Sequence, residues 1–95
     1  SKALDVATGG GHTAAYLASR GLSVTASDIA PSMVDSAIRL AGERGFVING
    51  ALHVAEKLPY PDETFSVVTC RVAAHHFSDP SAFVRESARI LKPGG

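Results

Sequence analysis

The segment LDVATGGGHTA, residues 4 to 14, places a short apolar run directly before three consecutive glycines and an alanine-rich stretch. The apolar run is typical of a buried strand, and the stretch from His12 to Arg20, which stops at Gly21, is typical of a helix. Glycines at this junction let a ligand approach the N-terminus of the helix. The segment therefore predicts a strand, a ligand loop and a helix, with a tight turn that binds nothing as the other interpretation.

Strand and helix signals alternate along the rest of the chain. The predicted strands are Ala3–Ala7, Leu22–Ser27, Phe46–Val54 and Thr64–Cys70. The third of these is a weaker signal, because Asn49 and Gly50 interrupt it. After the first helix, the predicted helices are Pro31–Ala41 and a third that starts at Asp79 and Pro80 and ends before Pro93. Alternation of this kind predicts an α/β fold with a parallel sheet and right-handed crossovers.

Helical spacing predicts which side chains of the second and third helices face the core. In the second helix the predicted inward residues are Met33, Val34, Ala37, Ile38 and Ala41. In the third they are Phe83, Val84, Ile90 and Leu91, with Arg85, Glu86 and Arg89 facing outward.

The composition sets broad limits on function. The 95 residues suffice for one domain, and nine Lys and Arg balance nine Asp and Glu, which argues against nucleic acid or an anionic membrane as a partner. The single cysteine, Cys70, excludes an internal disulfide and argues against a structural zinc site, so we expect no metal. With no signal-peptide pattern and no apolar run of membrane-spanning length, we expect a cytoplasmic protein.

Two acidic residues narrow the ligand class. Asp28 ends the second predicted strand, nineteen residues after Gly9, where a carboxylate can bind the hydroxyls of a ribose. The spacing Gly9-x-Gly11-x-x-Ala14 also fits a dinucleotide fingerprint. However, Asp5 lies inside the first strand, and its negative charge would not help to bind an anionic pyrophosphate. Asp5 favours a ligand that carries positive charge, or else it makes a hydrogen bond that braces the loop. The glycine loop and Asp28 together indicate a nucleoside-containing ligand, and Asp5 favours one that also carries positive charge.

Four segments resemble the class I S-adenosylmethionine-dependent methyltransferases, in particular the ubiquinone- and menaquinone-type enzymes that act on small molecules. They are LDVATGGG, ASDIAPSMVDSA, AEKLPYPDETFSVVTC and HHFSDPSAFVRESARILKPGG, and together they cover nearly the whole chain. The resemblance implies a Rossmann-like sheet of about four strands in the order 3-2-1-4 with flanking helices. It also implies S-adenosylmethionine as the cofactor and a small molecule as the methyl acceptor.

The resemblance also implies roles at the methionine end of the cofactor. Asp5 would help to hold the amino group, and Gly9 and Gly11 would pass close to the methionine part and the ribose. Cys70 and Arg71, at the end of the fourth strand, would lie near the methyl group. His75 and His76 follow that strand and are candidate general bases, although local capping or exposure to solvent explains them equally well.

Further implied contacts lie at the adenosine end. Asp28 would bind the ribose hydroxyls, Ile29 would pack on one face of the adenine, and the backbone of Ala55 would meet its edge. Ala7, counted among the cofactor-binding positions, stands where similar proteins often have the first glycine. Val54 replaces the usual carboxylate that accepts the adenine amino proton, a loss of about 1.5–3 kcal/mol in binding free energy.

Similar proteins carry a helical segment before the first strand and three further strands after the Pro93-Gly94-Gly95 turn. We therefore expect residues 1–95 to be a partial cofactor-binding core, with its fourth strand exposed as an edge that pairs with a second copy in a homodimer. Three function classes follow: a methyltransferase, a core without catalysis that self-associates, and a fragment of a nucleotide-binding oxidoreductase. The acceptor itself is not specified by these residues.

Overall fold

The computed structural model describes residues 1–6, 11–53, 57–70 and 80–93. Its helices and strands, in chain order, are β1 (Lys2–Val6), α1 (His12–Ser19), β2 (Ser23–Asp28), α2 (Pro31–Glu43), β3 (Asn49–Leu52), β4 (Val67–Cys70) and α3 (Pro80–Ile90). Their alternation is the predicted α/β pattern. None of the helices in these ranges is long and apolar enough to cross a membrane.

The four strands form one parallel sheet in the order β3-β2-β1-β4, which confirms the predicted order. The register places Leu4 of β1 between Thr25 of β2 and Val68 of β4. The chain runs from β1 to β2 on one side and returns to β4 on the other. Ligands of open α/β sheets bind at such a reversal, beside the carboxyl ends of the strands.

The face of the sheet that carries α1 and α2 has a core of mostly small side chains. Gly50 shows how closely α2 packs against β3, because a Cβ atom there would lie 2.5 Å from Cγ1 of Val34 and 2.9 Å from Cδ1 of Ile38. The buried residues of this face are Ala3, Ala14, Leu17, Ala18, Val24, Ala26, Ala37, Ala41 and Ile48. We call this set the alanine layer.

The position of β3 corrects the sequence prediction. Asn49 and Gly50 do not interrupt a longer strand; they begin the strand, and Val47 before it is 97% exposed. The missing side chain at Gly50 makes room for α2, a requirement of tertiary packing that strand propensity does not register. β4 also begins later than predicted, at Val67, while Phe65 forms an isolated bridge with Leu91.

Packing corrects part of the predicted helix faces as well. In α2, Val34, Ala37 and Ala41 are buried as predicted, but Met33 and Ile38 are partly exposed. In α3, Ile90 is buried with Leu4, Val6, Leu58 and Phe65, whereas Val84 is 63% exposed instead of facing inward.

Arg89 and Glu86 were predicted to face outward, but both are only partly exposed, with 32% and 24% of their side-chain surface open to solvent. The Arg89 guanidinium donates to the main-chain oxygens of Tyr60 at 2.7 Å and Leu58 at 2.8 Å, and pairs with the carboxylates of Asp62 and Glu86, both at 2.9 Å. Glu86 also accepts the Leu58 N–H at 2.9 Å. The hydrogen bond from Arg89, and then that from Leu58, lower the pKa of Glu86. This Arg89 network ties the segment that leads into β4 to α3.

Candidate functional site

The carboxyl ends of β1, β2 and β4 bring three polar side chains to one edge of the sheet. Asp5 and Thr69 are directly opposite in the β1–β4 pair, and Asp5 is also level with Ala26 of β2, two residues before Asp28. This edge lies at the reversal of strand order, where the fold favours ligand binding.

Asp5 is completely buried and held by hydrogen bonds. The Thr69 hydroxyl donates to Oδ1 of Asp5 at 2.8 Å, and the Ser27 hydroxyl donates to the main-chain oxygen of Asp5 at 3.4 Å. A buried carboxylate needs such partners, because removing it from water is costly. These contacts join Asp5 to the two neighbouring strands, whereas a hydrogen bond to loop residues 7–10 would lie outside the described residues.

Asp28 shapes the turn between β2 and α2. Its Oδ1 accepts the N–H of Ala30 at 3.1 Å, directly before Pro31 begins the helix. The residue as a whole is half-buried, and it ends β2 at the carboxyl edge of the sheet. Ile29 follows with 71% of its surface exposed and presents an apolar side chain beside the carboxylate.

The fold requires a glycine at position 11 for a packing reason that the sequence did not reveal. Its φ of 86° lies in the left-handed region, and a Cβ atom there would be 2.7 Å from Cβ of Ala37 and closer still to Cα of Ala37. Glycine therefore allows the N-terminus of α1 to approach α2. His12, the first residue of α1, is exposed.

The other predicted residues divide between those that the structure describes and those that it does not. Cys70 ends β4 and is half-buried. Outside the described residues lie Ala7, Gly9, Val54, Ala55, Arg71, His75 and His76.

Two contacts near this edge involve residues to which the sequence analysis gave no role. Thr69 could have been found from its strand register opposite Asp5, but only after β4 had been paired with β1. Nε2 of His53, just beyond β3, lies 3.0 Å from the hydroxyl oxygen of Tyr60, and the two rings meet edge to face. Burial raises the pKa of Tyr60.

Comparison with known proteins places this geometry in a family. Residues 4–95 match the profile of a family described as methyltransferase domain. The chain is 41% identical over 95 residues to the uncharacterized methyltransferase YcgJ of Bacillus subtilis, covering 99% of this chain and 38% of that protein. It is 38% identical over 96 residues to the demethylmenaquinone methyltransferase of Deinococcus radiodurans, covering 99% of this chain and 40% of that protein.

The solved structures give the same result. The crystal structure of the BH2331 protein of Bacillus halodurans superposes with a TM-score of 0.90 at 41% identity, covering 96% of this chain and 40% of that one. The chain thus spans about two fifths of the length of these relatives. The family match extends over nearly all of its residues, so the chain belongs to the methyltransferase domain family.

Proposed function

We propose that the chain binds S-adenosylmethionine at the carboxyl edge of the sheet and takes part in transfer of its methyl group to a small-molecule acceptor. The proposal is supported by two carboxylates, those of Asp5 and Asp28, on neighbouring parallel strands at the reversal of strand order. The Deinococcus relative is named a demethylmenaquinone methyltransferase, which supports an acceptor of the small-molecule class.

The described residues fit this cofactor. Asp28 offers a half-buried carboxylate of the kind that binds ribose hydroxyls, and the exposed Ile29 offers an apolar surface for a purine ring. Asp5 supplies negative charge at the end of β1, which suits a ligand with an ammonium group and a sulfonium better than a pyrophosphate. These features also argue against the dinucleotide alternative.

S-adenosylmethionine, when bound, would supply an electrophilic methyl group, since a nucleophilic acceptor would form a bond to the methyl carbon while the carbon–sulfur bond breaks and S-adenosylhomocysteine leaves with the electron pair. The protein contributes alignment of the acceptor and exclusion of water, and a general base is optional. We keep His75 and His76 as proposed bases, and Cys70 and Arg71 as proposed neighbours of the methionyl end. Ala7, Gly9 and Ala55 remain proposed cofactor contacts.

The single observation that carries the proposal is the position of Asp28, a half-buried residue that ends β2 at the carboxyl edge of the sheet. Asp28→Asn tests it sharply, because an asparagine oxygen can still accept the N–H of Ala30 while the charge and the second carboxylate oxygen are lost. We expect S-adenosylhomocysteine to bind Asp28→Asn about tenfold to a hundredfold more weakly than the parent, as measured by calorimetric titration. Asp28→Ala should lose affinity to a similar extent and stability in addition.

A ligand-side control locates the effect at the ribose. The parent should bind a 2′-deoxy analogue of S-adenosylhomocysteine weakly, and Asp28→Asn should weaken this analogue much less than the natural ligand. NAD, titrated in parallel, should not bind. Equal affinity of the parent and Asp28→Asn for S-adenosylhomocysteine would remove the ribose assignment, and tight binding of NAD would favour the oxidoreductase alternative.

A further inference from the structure

We infer that Thr69 is a positioning residue for cofactor binding, and that its hydroxyl holds the Asp5 carboxylate in the orientation that receives the amino end of S-adenosylmethionine. The inference rests on the proposed function and names a residue to which the sequence pattern assigned nothing. We call these two residues the Asp5–Thr69 pair.

The pair is defined by strand register. Asp5 of β1 and Thr69 of β4 are directly opposite, and Oγ1 of Thr69 lies 2.8 Å from Oδ1 of Asp5. A β-branched side chain on a strand has few χ1 states, so the backbone of β4 largely fixes where this hydroxyl lies. The hydroxyl can donate to the carboxylate because an ionised carboxylate only accepts hydrogen bonds.

Burial makes this hydrogen bond consequential. Asp5 is 0% exposed, so its carboxylate depends on protein partners more than an exposed one would. Ser27 cannot replace Thr69 in this respect, because its hydroxyl contacts the main-chain oxygen of Asp5. Ser27 thereby helps to fix the strand, whereas Thr69 acts on the side chain that carries the charge.

The position of the pair connects it to the ligand. β1 ends one residue after Asp5 and β4 ends one residue after Thr69, on the two strands that flank the reversal of strand order. An ammonium group bound at the end of β1 meets the Asp5 carboxylate, and its attraction falls off with distance and misorientation. Loss of the Thr69 hydroxyl removes one hydrogen bond that restrains the orientation of this carboxylate.

Three substitutions separate orientation from packing. Thr69→Val keeps the shape and the branching but removes the donor, and Thr69→Ser restores the donor. Thr25→Val is the matched control, since Thr25 is also half-buried and lies on a strand that pairs with β1. Urea unfolding first establishes that each variant is folded at the titration temperature, and Thr69→Ala replaces Thr69→Val if the valine variant is unfolded.

Two ligands distinguish positioning at the amino end from general loosening of the site. We expect Thr69→Val to bind S-adenosylhomocysteine about tenfold more weakly than the parent, with Thr69→Ser within about threefold of it. Binding of 5′-methylthioadenosine, which lacks the amino acid end, should not change in any variant. Thr25→Val should bind both ligands as the parent does.

The other outcomes distinguish failure of this inference from failure of the proposed function. If the parent binds S-adenosylhomocysteine and Thr69→Val binds it equally well, the inference is wrong while the proposed function stands. Equal weakening of both ligands shows a structural role for Thr69 and also contradicts the inference, as does unfolding of both Thr69→Val and Thr69→Ala. If the parent binds neither ligand, the proposed function itself fails.

Discussion

Gly11 and Gly45 have the same backbone conformation in different surroundings. Both have a φ of 86°, in the left-handed region that side chains rarely adopt. A Cβ atom at Gly45 would have no heavy atom within 4 Å, whereas one at Gly11 would overlap Ala37 of α2. The two residues therefore separate the cost of the conformation from the cost of close packing.

We expect Gly45→Ala to lower the free energy of unfolding by about 1–2 kcal/mol, the cost of a left-handed alanine. Gly11→Ala should lower it by about 1–3 kcal/mol more, because the new methyl group forces α1 and α2 apart. Urea unfolding followed by circular dichroism measures both. Similar losses for the two variants would mean that α1 and α2 separate without cost and would contradict the packing explanation.

At the scale of single residues, prediction from sequence succeeded where the reason was local. Asp5 lies inside β1 and Asp28 ends β2, as the pattern predicted. The packing role of Gly11 and the partner of Asp5 were missed, since each depends on a residue brought close only by the folded sheet.

At the scale of elements, α3 and the segment leading into β4 depend on each other. The pattern of α3 predicted a charged outer face, but Arg89 reaches the main-chain oxygens of Leu58 and Tyr60 instead. Helical spacing describes one helix alone and contains no information about a segment some thirty residues earlier that supplies these acceptors.

The Arg89 network predicts that substitutions of two arginines in α3 have unequal effects on the stability of the protein. Arg89→Met should lower the urea midpoint, because the main-chain oxygens and the Glu86 carboxylate lose their donor. Arg85→Met is the control, since Arg85 is exposed, and its effect should be several times smaller. Equal midpoints for the two variants would show that the network adds nothing to stability.

The pKa of Glu86 gives the network a dependence on pH. Hydrogen bonds from Arg89 and Leu58 hold this pKa below its ordinary value of 4.5 in the folded state. The ionised Glu86 therefore stabilises the folded state fully when the pH is above the pKa of Glu86 in the unfolded chain. This stabilisation is lost as the pH falls through the lower pKa of Glu86 in the folded state. Urea midpoints between neutral and acidic pH should fall less steeply in Glu86→Gln than in the parent. In the Arg89→Met background this difference should shrink, and its persistence there would contradict the assigned cause.

At the scale of the whole molecule, β3 and β4 form the two edges of the sheet in the described part of the chain. The parallel sheet was predictable from the alternation of strands and helices, whereas the order of the four strands came from the resemblance to the methyltransferases. The length of β3 was not predictable, since it depends on how α2 packs against Gly50. Either edge strand, β3 or β4, could in principle pair with a strand of a second copy.

We propose that the chain self-associates through β4, whose apolar residues Val67 and Val68 lie on an edge strand of the described sheet, where a strand of a second copy can be added. Light scattering should give a mass above 9.8 kDa that rises with protein concentration. Val47→Lys, next to the β3 edge, is the control and should not change the mass. A constant monomer mass would contradict the proposal, and a mass that falls in Val47→Lys would assign association to the other edge.

The alanine layer limits which substitutions this fold can accept on one side of the sheet. Most side chains between the sheet and its two N-terminal helices are alanines, so most substitutions at those positions add volume and few remove it. On the side of α3, larger residues such as Leu58, Phe65 and Ile90 can exchange volume among themselves. Random mutagenesis with selection for folded protein should therefore leave one side of the sheet almost unaltered while the other accumulates compensated substitutions.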